Sequence, residues 1–359
     1  MRVAVVDVAA EKGGALSVLN DFVEVLTATE DKENEWFIIT SVVSTCENDN
    51  IHNIQFPETK ASWLHRLWWE HAKLPKLLED LRIDIVVSMQ NNGLPIKESI
   101  RQIVYFHNIL FIQNDYNFSF RKKPERIYAV YSKILAPYIR HSWKKADVIV
   151  VQGHSMKEQL SAYFPKNRIY ICEPEVKTNQ VNEKTRHKIK GFLYPASALV
   201  YKNMEVIVEA IKRMEQKGES VEVLFTISGT ENQYAKKISD MAKFTKGIKL
   251  IGYQDRQSIL KKYQAYGLII TSRLESFGMP IAEAMTCQTV VVALDMPYVR
   301  DQIETSHYNR AYIAKNDPDD LAKTMQFALR DEKEGNYHVN DKKNGGMHHM
   351  IHIIKEMRE

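Results

Sequence analysis

Short apolar runs rich in β-branched residues alternate along the first half of the chain with longer stretches whose apolar positions recur at helical spacing. Val3–Val8, Trp36–Thr40, Ile83–Ser88, Gln102–Phe106 and Val148–Val151 read as strands, because such runs between turn-formers suit a strand buried on both faces. Ala15–Leu26 reads as a helix and Trp63–Leu81 as a core helix. The scheme restarts with Phe192–Tyr194, Val221–Ile227, Ile248–Ile251, Leu268–Ile270 and Thr289–Val292. Strand-then-helix alternation predicts a parallel sheet covered on both faces, so two α/β domains are expected. The polar, aperiodic stretch Glu173–His187 places their boundary near residue 174. The expected division is 1–173, 174–340 and a terminal segment 341–359 carrying a helix over Met347–Arg358.

Composition is consistent with that division. The chain has 359 residues, 44% of them hydrophobic, enough for two cores. Its net charge of +4 arises from 49 basic and 45 acidic residues, a balance that does not suit a nucleic-acid binder. Charge is asymmetric only locally: residues 121–145 hold eight Lys or Arg against Glu125, interleaved with Tyr128, Tyr131, Tyr138 and Trp143. Such a segment suits an anionic membrane surface, or equally a helix pair with its aromatics in the core and its cations in water. Cys46, Cys172 and Cys287 are too far apart for a zinc pair and odd in number, which fits a reducing cytoplasm. The apolar start, Met1–Val8, is too short for a signal peptide, and no run approaches the roughly 18 apolar residues of a membrane span. His348 and His352 share a helix face with His349 nearby. Lacking a carboxylate or thiol partner in sequence, they read as a polar face rather than a metal site.

The chemistry concentrates in Thr271–Met285. Gly267–Ser272 reads as a buried strand and a helix is expected to start near Pro280, since proline is favoured in the first turn. Glu275 then lies in the connecting loop and Glu283 in the first helical turn. Free N–H groups near Phe277, Gly278 and Met279 would favour an anion such as a diphosphate, and the two carboxylates could accept from hydroxyls. That combination suits a sugar nucleotide. The plainer reading is that Glu283 complements the helix dipole and Glu275 is a solvated loop charge.

The whole string from Glu275 to Met285 resembles the Glu-x7-Glu signature of retaining glycosyltransferase family four. That family has the GT-B fold, two Rossmann-like domains facing each other across a cleft. The resemblance extends from Val3 to about Leu329. It implies that Glu283 binds the ribose, that Glu275 faces the donor sugar, and that amides of Ser276, Phe277, Gly278 and Met279 hold sugar and phosphate. Gly13 and Gly14, by themselves a flexible turn, match the family's glycine-rich loop after the first strand, which borders donor phosphates and acceptor; no dinucleotide fingerprint is present. His107, at the carboxyl end of a strand, matches a histidine that contacts the donor sugar. Lys202 and Asn203 match a Lys-Asn pair whose ammonium meets the diphosphate. Many members have an arginine five positions earlier, where this chain has Ser197. Gly229 and Thr230, and the backbone near Tyr253, align with the nucleotide pocket. A last helix returning to the N-terminal domain is also expected, and the resemblance implies that 1–173 is the acceptor domain and 174–340 the nucleotide-sugar donor domain.

The implied activity is retaining transfer of a hexose from a nucleoside diphosphate sugar to a hydroxyl of a glycan or polyprenyl-linked acceptor in surface polysaccharide synthesis. No metal or other cofactor is implied, and the implied location is the cytoplasm, at the inner face of the membrane. A sugar-nucleotide epimerase and a non-catalytic transferase-like subunit are the alternatives.

Overall fold

The computed structural model describes residues 1–10, 14–29, 31, 33–42, 49–114, 116–176, 188–330 and 346–357. Two compact units divide the chain: unit 1 holds 1–113, 131–175 and 341–359, and unit 2 holds 114–130 and 176–340. The inclusion of 114–130 in unit 2 has no counterpart in the sequence pattern.

Unit 1 is built on β1 (Arg2–Asp7), β2 (Glu35–Thr40), β3 (Ile51–Gln55), β4 (Ile85–Ser88), β5 (Arg101–Phe106), β6 (Val148–Val151) and β7 (Ile169–Ile171). They form one parallel sheet in the order β3-β2-β1-β4-β5-β6-β7. Unit 2 has β8 (Gly191–Tyr194), β9 (Glu222–Phe225), β10 (Ile248–Leu250), β11 (Tyr266–Ile270), β12 (Val291–Leu294) and β13 (Ala311–Ala314), parallel in the order β10-β9-β8-β11-β12-β13. Chain order reverses beside β1 in the first sheet and beside β8 in the second. Each reversal opens a crevice at the strands' carboxyl ends where open α/β folds bind ligands.

β3, β7 and β13 were not expected, and all three are sheet edges. An edge strand is covered less completely than a central one, so Ile51–Gln55 carries only one fully buried residue and shows no apolar run. Trp63–Leu81 is two helices, Trp63–Ala72 and Leu74–Asp80, the second carrying Pro75 in its first turn. Trp69, Leu74 and Leu78 enter the core as expected, but Trp63, Leu64 and Trp68 are exposed. Within 121–145, Trp143 is buried against Phe106 and donates to the Asn91 carbonyl at 2.9 Å, whereas Ile127 and Ile134 face outward. The burial of Trp143 fits the reading that places aromatics of this segment in the core.

Helix Gly346–Glu356 belongs to unit 1. Its Met347, Met350, Ile351, Ile353 and Ile354 join the core with Leu19, Phe22 and Trp36. Its histidines lie on the other side, where His352 pairs with Glu356 at 3.0 Å.

Candidate active site

In unit 2 the loop following β8 carries Lys202 and the loop following β11 carries Glu275, and these strands flank the reversal of chain order. The Lys202 ammonium is ion-paired with Glu275 Oε1. The pair is reached by cross-ties between the two loops. Thr271 Oγ1 donates to the carbonyls of Lys202 and Asn203 at 3.0 Å, and the Tyr194 hydroxyl bridges the Lys202 carbonyl at 2.7 Å and Ser272 Oγ at 2.9 Å. Thr271, Ser272 and Tyr194 are all buried, so these hydrogen bonds fix the two loops rigidly.

The β11 loop ends at Gly278, whose φ of 84° and ψ of 52° lie in the left-handed region. A Cβ there would stand 2.9 Å from the Tyr298 ring and 3.2 Å from Gln302 Nε2. Both residues hold the loop: the Tyr298 hydroxyl donates to the Ser272 carbonyl at 2.9 Å, and Gln302 Nε2 donates to the carbonyls of Phe277 and Gly278. With its carbonyls so engaged, the loop leaves the N–H groups of Ser276, Phe277, Gly278 and Met279 without a protein acceptor among the described residues. These amides precede helix Met279–Thr286, so the helix dipole adds to their affinity for an anion.

The helix starts at Met279, one residue before the expected point, and Glu283 accordingly falls at the beginning of its second turn. It does more than complement the dipole. Arg256 Nε donates to Glu283 Oε1 at 2.8 Å; burial pushes the Glu283 carboxyl up from its ordinary value, and the guanidinium opposes that shift. Arg273 is a second cation that the sequence did not single out. Its Nη2 donates to Asn203 Oδ1 at 3.0 Å and its guanidinium lies 5.4 Å from the Tyr116 ring centroid. Asn203 adopts φ 54°, and its Nδ2 is tied to Asn316. Ser197 is exposed, and Arg273 is an arginine tied into the Lys202 loop from elsewhere in the sequence.

Gly229 also has a positive φ, 89°, and an added Cβ would meet Ser239 at 2.8 Å, which is sufficient reason for glycine there. The N–H groups of Ser228 and Gly229 are occupied by the Glu231 carboxylate, and Ser228 Oγ lies 2.9 Å from Thr230 Oγ1. Tyr253 is exposed beside Gly252, which has φ 69°.

In unit 1, Gly13 lies outside the described residues and Gly14 is the first residue of helix Gly14–Ala28. His107 follows β5. Its N–H donates to Asn91 Oδ1 at 2.8 Å, which turns Asn91 Nδ2 toward His107 Nε2 at 3.4 Å. Nε2 therefore accepts and the neutral ring carries its proton on Nδ1. Burial agrees with a neutral ring, lowering the His107 pKa to about 4.

Asp7, at the end of β1, is buried, with Oδ1 accepting from the Ala10 N–H at 3.0 Å. Burial raises its pKa to about 7 despite Ala10, Arg66 and Lys60. The unfolded carboxyl titrates near 3.9, so between about pH 4 and 7 the folded state binds more protons and Asp7 lowers stability as pH rises. His107 contributes the opposite slope between about pH 4 and 6.5. An Asp7→Asn variant should thus melt above the parent at pH 8, with the difference closing toward pH 4 in paired thermal melts.

Residues 175–345 match the family model described as Glycosyl transferases group 1. That stretch, which takes in most of unit 2, is similar to a group 1 glycosyl transferase domain. The curated relatives include the GtfA subunit of a UDP-N-acetylglucosamine–peptide N-acetylglucosaminyltransferase from Streptococcus agalactiae. It is 26% identical over 172 residues, 47% of this chain and 33% of that protein. An uncharacterized glycosyltransferase, MJ1178 of Methanocaldococcus jannaschii, is 23% identical over 203 residues, 55% of this chain and 53% of that one. The chain thus spans a third to a half of the curated relatives it matches. Among solved structures, Anabaena HepE in complex with UDP and glucose superposes with a TM-score of 0.66 at 13% identity, covering 99% of this chain and 98% of that one. The fold is GT-B.

Proposed function

We propose that the protein is a retaining glycosyltransferase that moves a hexose from a nucleoside diphosphate sugar to a hydroxyl of a glycan or lipid-linked acceptor in surface polysaccharide synthesis. The observation that carries this reading is the Lys202–Glu275 pair beside the unoccupied amides of Ser276–Met279. A nucleoside diphosphate sugar offers a partner to each component: phosphate oxygens to Lys202 and the amides, and sugar hydroxyls to Glu275. Lys202, Arg273 and the helix N-terminus then face the negative charge that grows on the leaving diphosphate, the role a divalent ion plays in other transferases. Glu283, held by Arg256, accepts from the ribose hydroxyls. The leaving phosphate takes the acceptor proton as the hydroxyl attacks from the same face. The HepE complex with UDP and glucose supports a nucleotide-sugar donor for this fold.

Incubation with a panel of nucleoside diphosphate hexoses and glycan acceptors should yield one preferred donor and a product with the donor's anomeric configuration. An inverted product would reject retention, and release of an epimerised donor without an acceptor would reject transfer. Absence of both transfer and nucleoside diphosphate binding would reject the whole reading.

A membrane-borne acceptor would account for the composition of residues 121–145, where Ile127 and Ile134 are exposed among Arg121, Lys122, Lys123, Arg126 and Lys133. Among the described residues no helix is long and apolar enough to cross a membrane, so contact would be peripheral. Anionic vesicles should retain the protein in co-sedimentation more than neutral ones.

A further inference from the structure

Residues 114–130 belong to unit 2, although the chain on either side of them belongs to unit 1. They form an arm with internal order of its own. Phe118 is fully buried, the Ser119 N–H donates to the buried Glu125 at 2.8 Å, and Arg126 Nε donates to the Phe120 carbonyl at 2.9 Å. The turn Lys123–Glu125 lies against helix Gln233–Ala242.

This arm carries a file of aromatic rings. The centroids of Tyr116 and Phe118 are 4.5 Å apart, those of Phe118 and Tyr128 5.3 Å, and Tyr128 meets Tyr201 edge-on at 5.4 Å. The two ends of the file reach the two cations of the candidate active site. At one end the Arg273 guanidinium lies over Tyr116, 5.4 Å from the ring centroid, and at the other the Lys202 ammonium lies 5.7 Å from that of Tyr201. The ends are also tied to each other, because the Arg273 N–H donates to the Tyr201 carbonyl at 2.8 Å.

Arg273 depends on the file more than Lys202 does. Lys202 has Glu275 as its counter-ion, whereas Arg273 has no carboxylate partner among the described residues. Its Nη2 donates to Asn203 Oδ1 at 3.0 Å, and its Nε is buried without an acceptor among those residues. One hydrogen bond leaves a planar guanidinium free to turn; a ring face beneath it removes that freedom.

We infer that Tyr116 is a positioning residue for the donor diphosphate, holding the Arg273 guanidinium on its ring face while Phe118, Tyr128 and Tyr201 buttress that ring from the Lys202 side. The inference rests on the proposed donor site, in which Arg273 faces the charge growing on the leaving phosphate. Its consequence is selective. A guanidinium that turns away weakens the hold on the terminal phosphate and leaves contacts to the nucleoside as they were.

The test is a double-mutant cycle on the full chain, with UDP, GDP, ADP, dTDP and the matching monophosphates as calorimetric probes. Tyr116→Leu fills similar space without a ring; it should weaken the preferred diphosphate about fivefold and its monophosphate by no more than about twofold. Tyr116→Phe keeps the ring and should restore most of the loss. In an Arg273→Ala background there is no guanidinium to hold, so Tyr116→Leu should cost nothing further. Melting temperatures report that each variant is folded. A ring that merely packs the arm would weaken both nucleotides alike, and by the same factor with or without Arg273. Either result overturns the inference, as does a Tyr116→Leu protein that binds like the parent. Those outcomes leave the donor site standing. A parent that binds none of these nucleotides would strike the proposed function, and this inference with it.

Discussion

Replacing Lys202 by alanine is expected to lower kcat by about 100- to 1,000-fold, the usual cost of removing one group aimed at charge developing in a transition state. The melting temperature should move little. Both partners of the Lys202–Glu275 pair are somewhat solvent-accessible, at 15% and 17%, and an ion pair that is not fully desolvated contributes modestly to folding. A large kinetic loss beside a small stability change is what separates a catalytic cation from a structural one. Lys202→Arg restores the charge as a planar fork instead of a point and should recover only part of the rate. Arg273→Ala should be milder, on the order of tenfold, with more of the loss in the donor KM, since this guanidinium is anchored on Asn203. Steady-state kinetics with the preferred donor decide the matter. A Lys202→Ala enzyme within threefold of the parent would remove Lys202 from the reaction.

Gly278→Ala should destabilise unit 2 by about 2–4 kcal/mol and abolish donor binding. Part of the cost is the left-handed backbone, on the order of 1–2 kcal/mol for a residue with a Cβ. The rest is steric. The new methyl would lie 2.9 Å from the ring of Tyr298, which is buried and tethered to Ser272, so the ring has little room to withdraw. Relief must come from the loop, and moving it displaces the amides of Ser276–Met279. Gly252→Ala is the matched control: its φ of 69° carries similar backbone strain, but nothing lies within 4 Å of an added Cβ. Calorimetry should show a drop of roughly 5–15 °C for Gly278→Ala and about half that for Gly252→Ala. Equal drops would mean that packing against Tyr298 does not matter.

Much of this molecule could be read from local pattern. Val3–Val8 and Leu268–Ile270 mark central strands because a strand covered on both faces must be apolar throughout, and that requirement is written in consecutive residues. The loop from Glu275 to Glu283 was legible for a related reason: strand, turn glycine, first-turn proline and helix follow one another in a single stretch. Edge strands such as Ile51–Gln55 carry no such mark, since half-covered backbone tolerates polar residues.

What escaped the sequence shares one physical character. Arg256 is 27 positions from the Glu283 it orients, and Arg273 is 70 positions from Asn203. Tyr298 and Gln302 forbid a side chain at Gly278 from a helix that follows the next strand. Asn91 sets the His107 tautomer across two adjacent strands, and Arg66 pairs with Glu70 within one helix turn that nothing in the pattern marks as buried. By itself the sequence determined the central strands and where a strand-to-helix loop presents free amides, because those depend on neighbouring residues. The order of strands in each sheet decided the rest: it brought Lys202 to Glu275, through contacts between segments that local periodicity cannot pair.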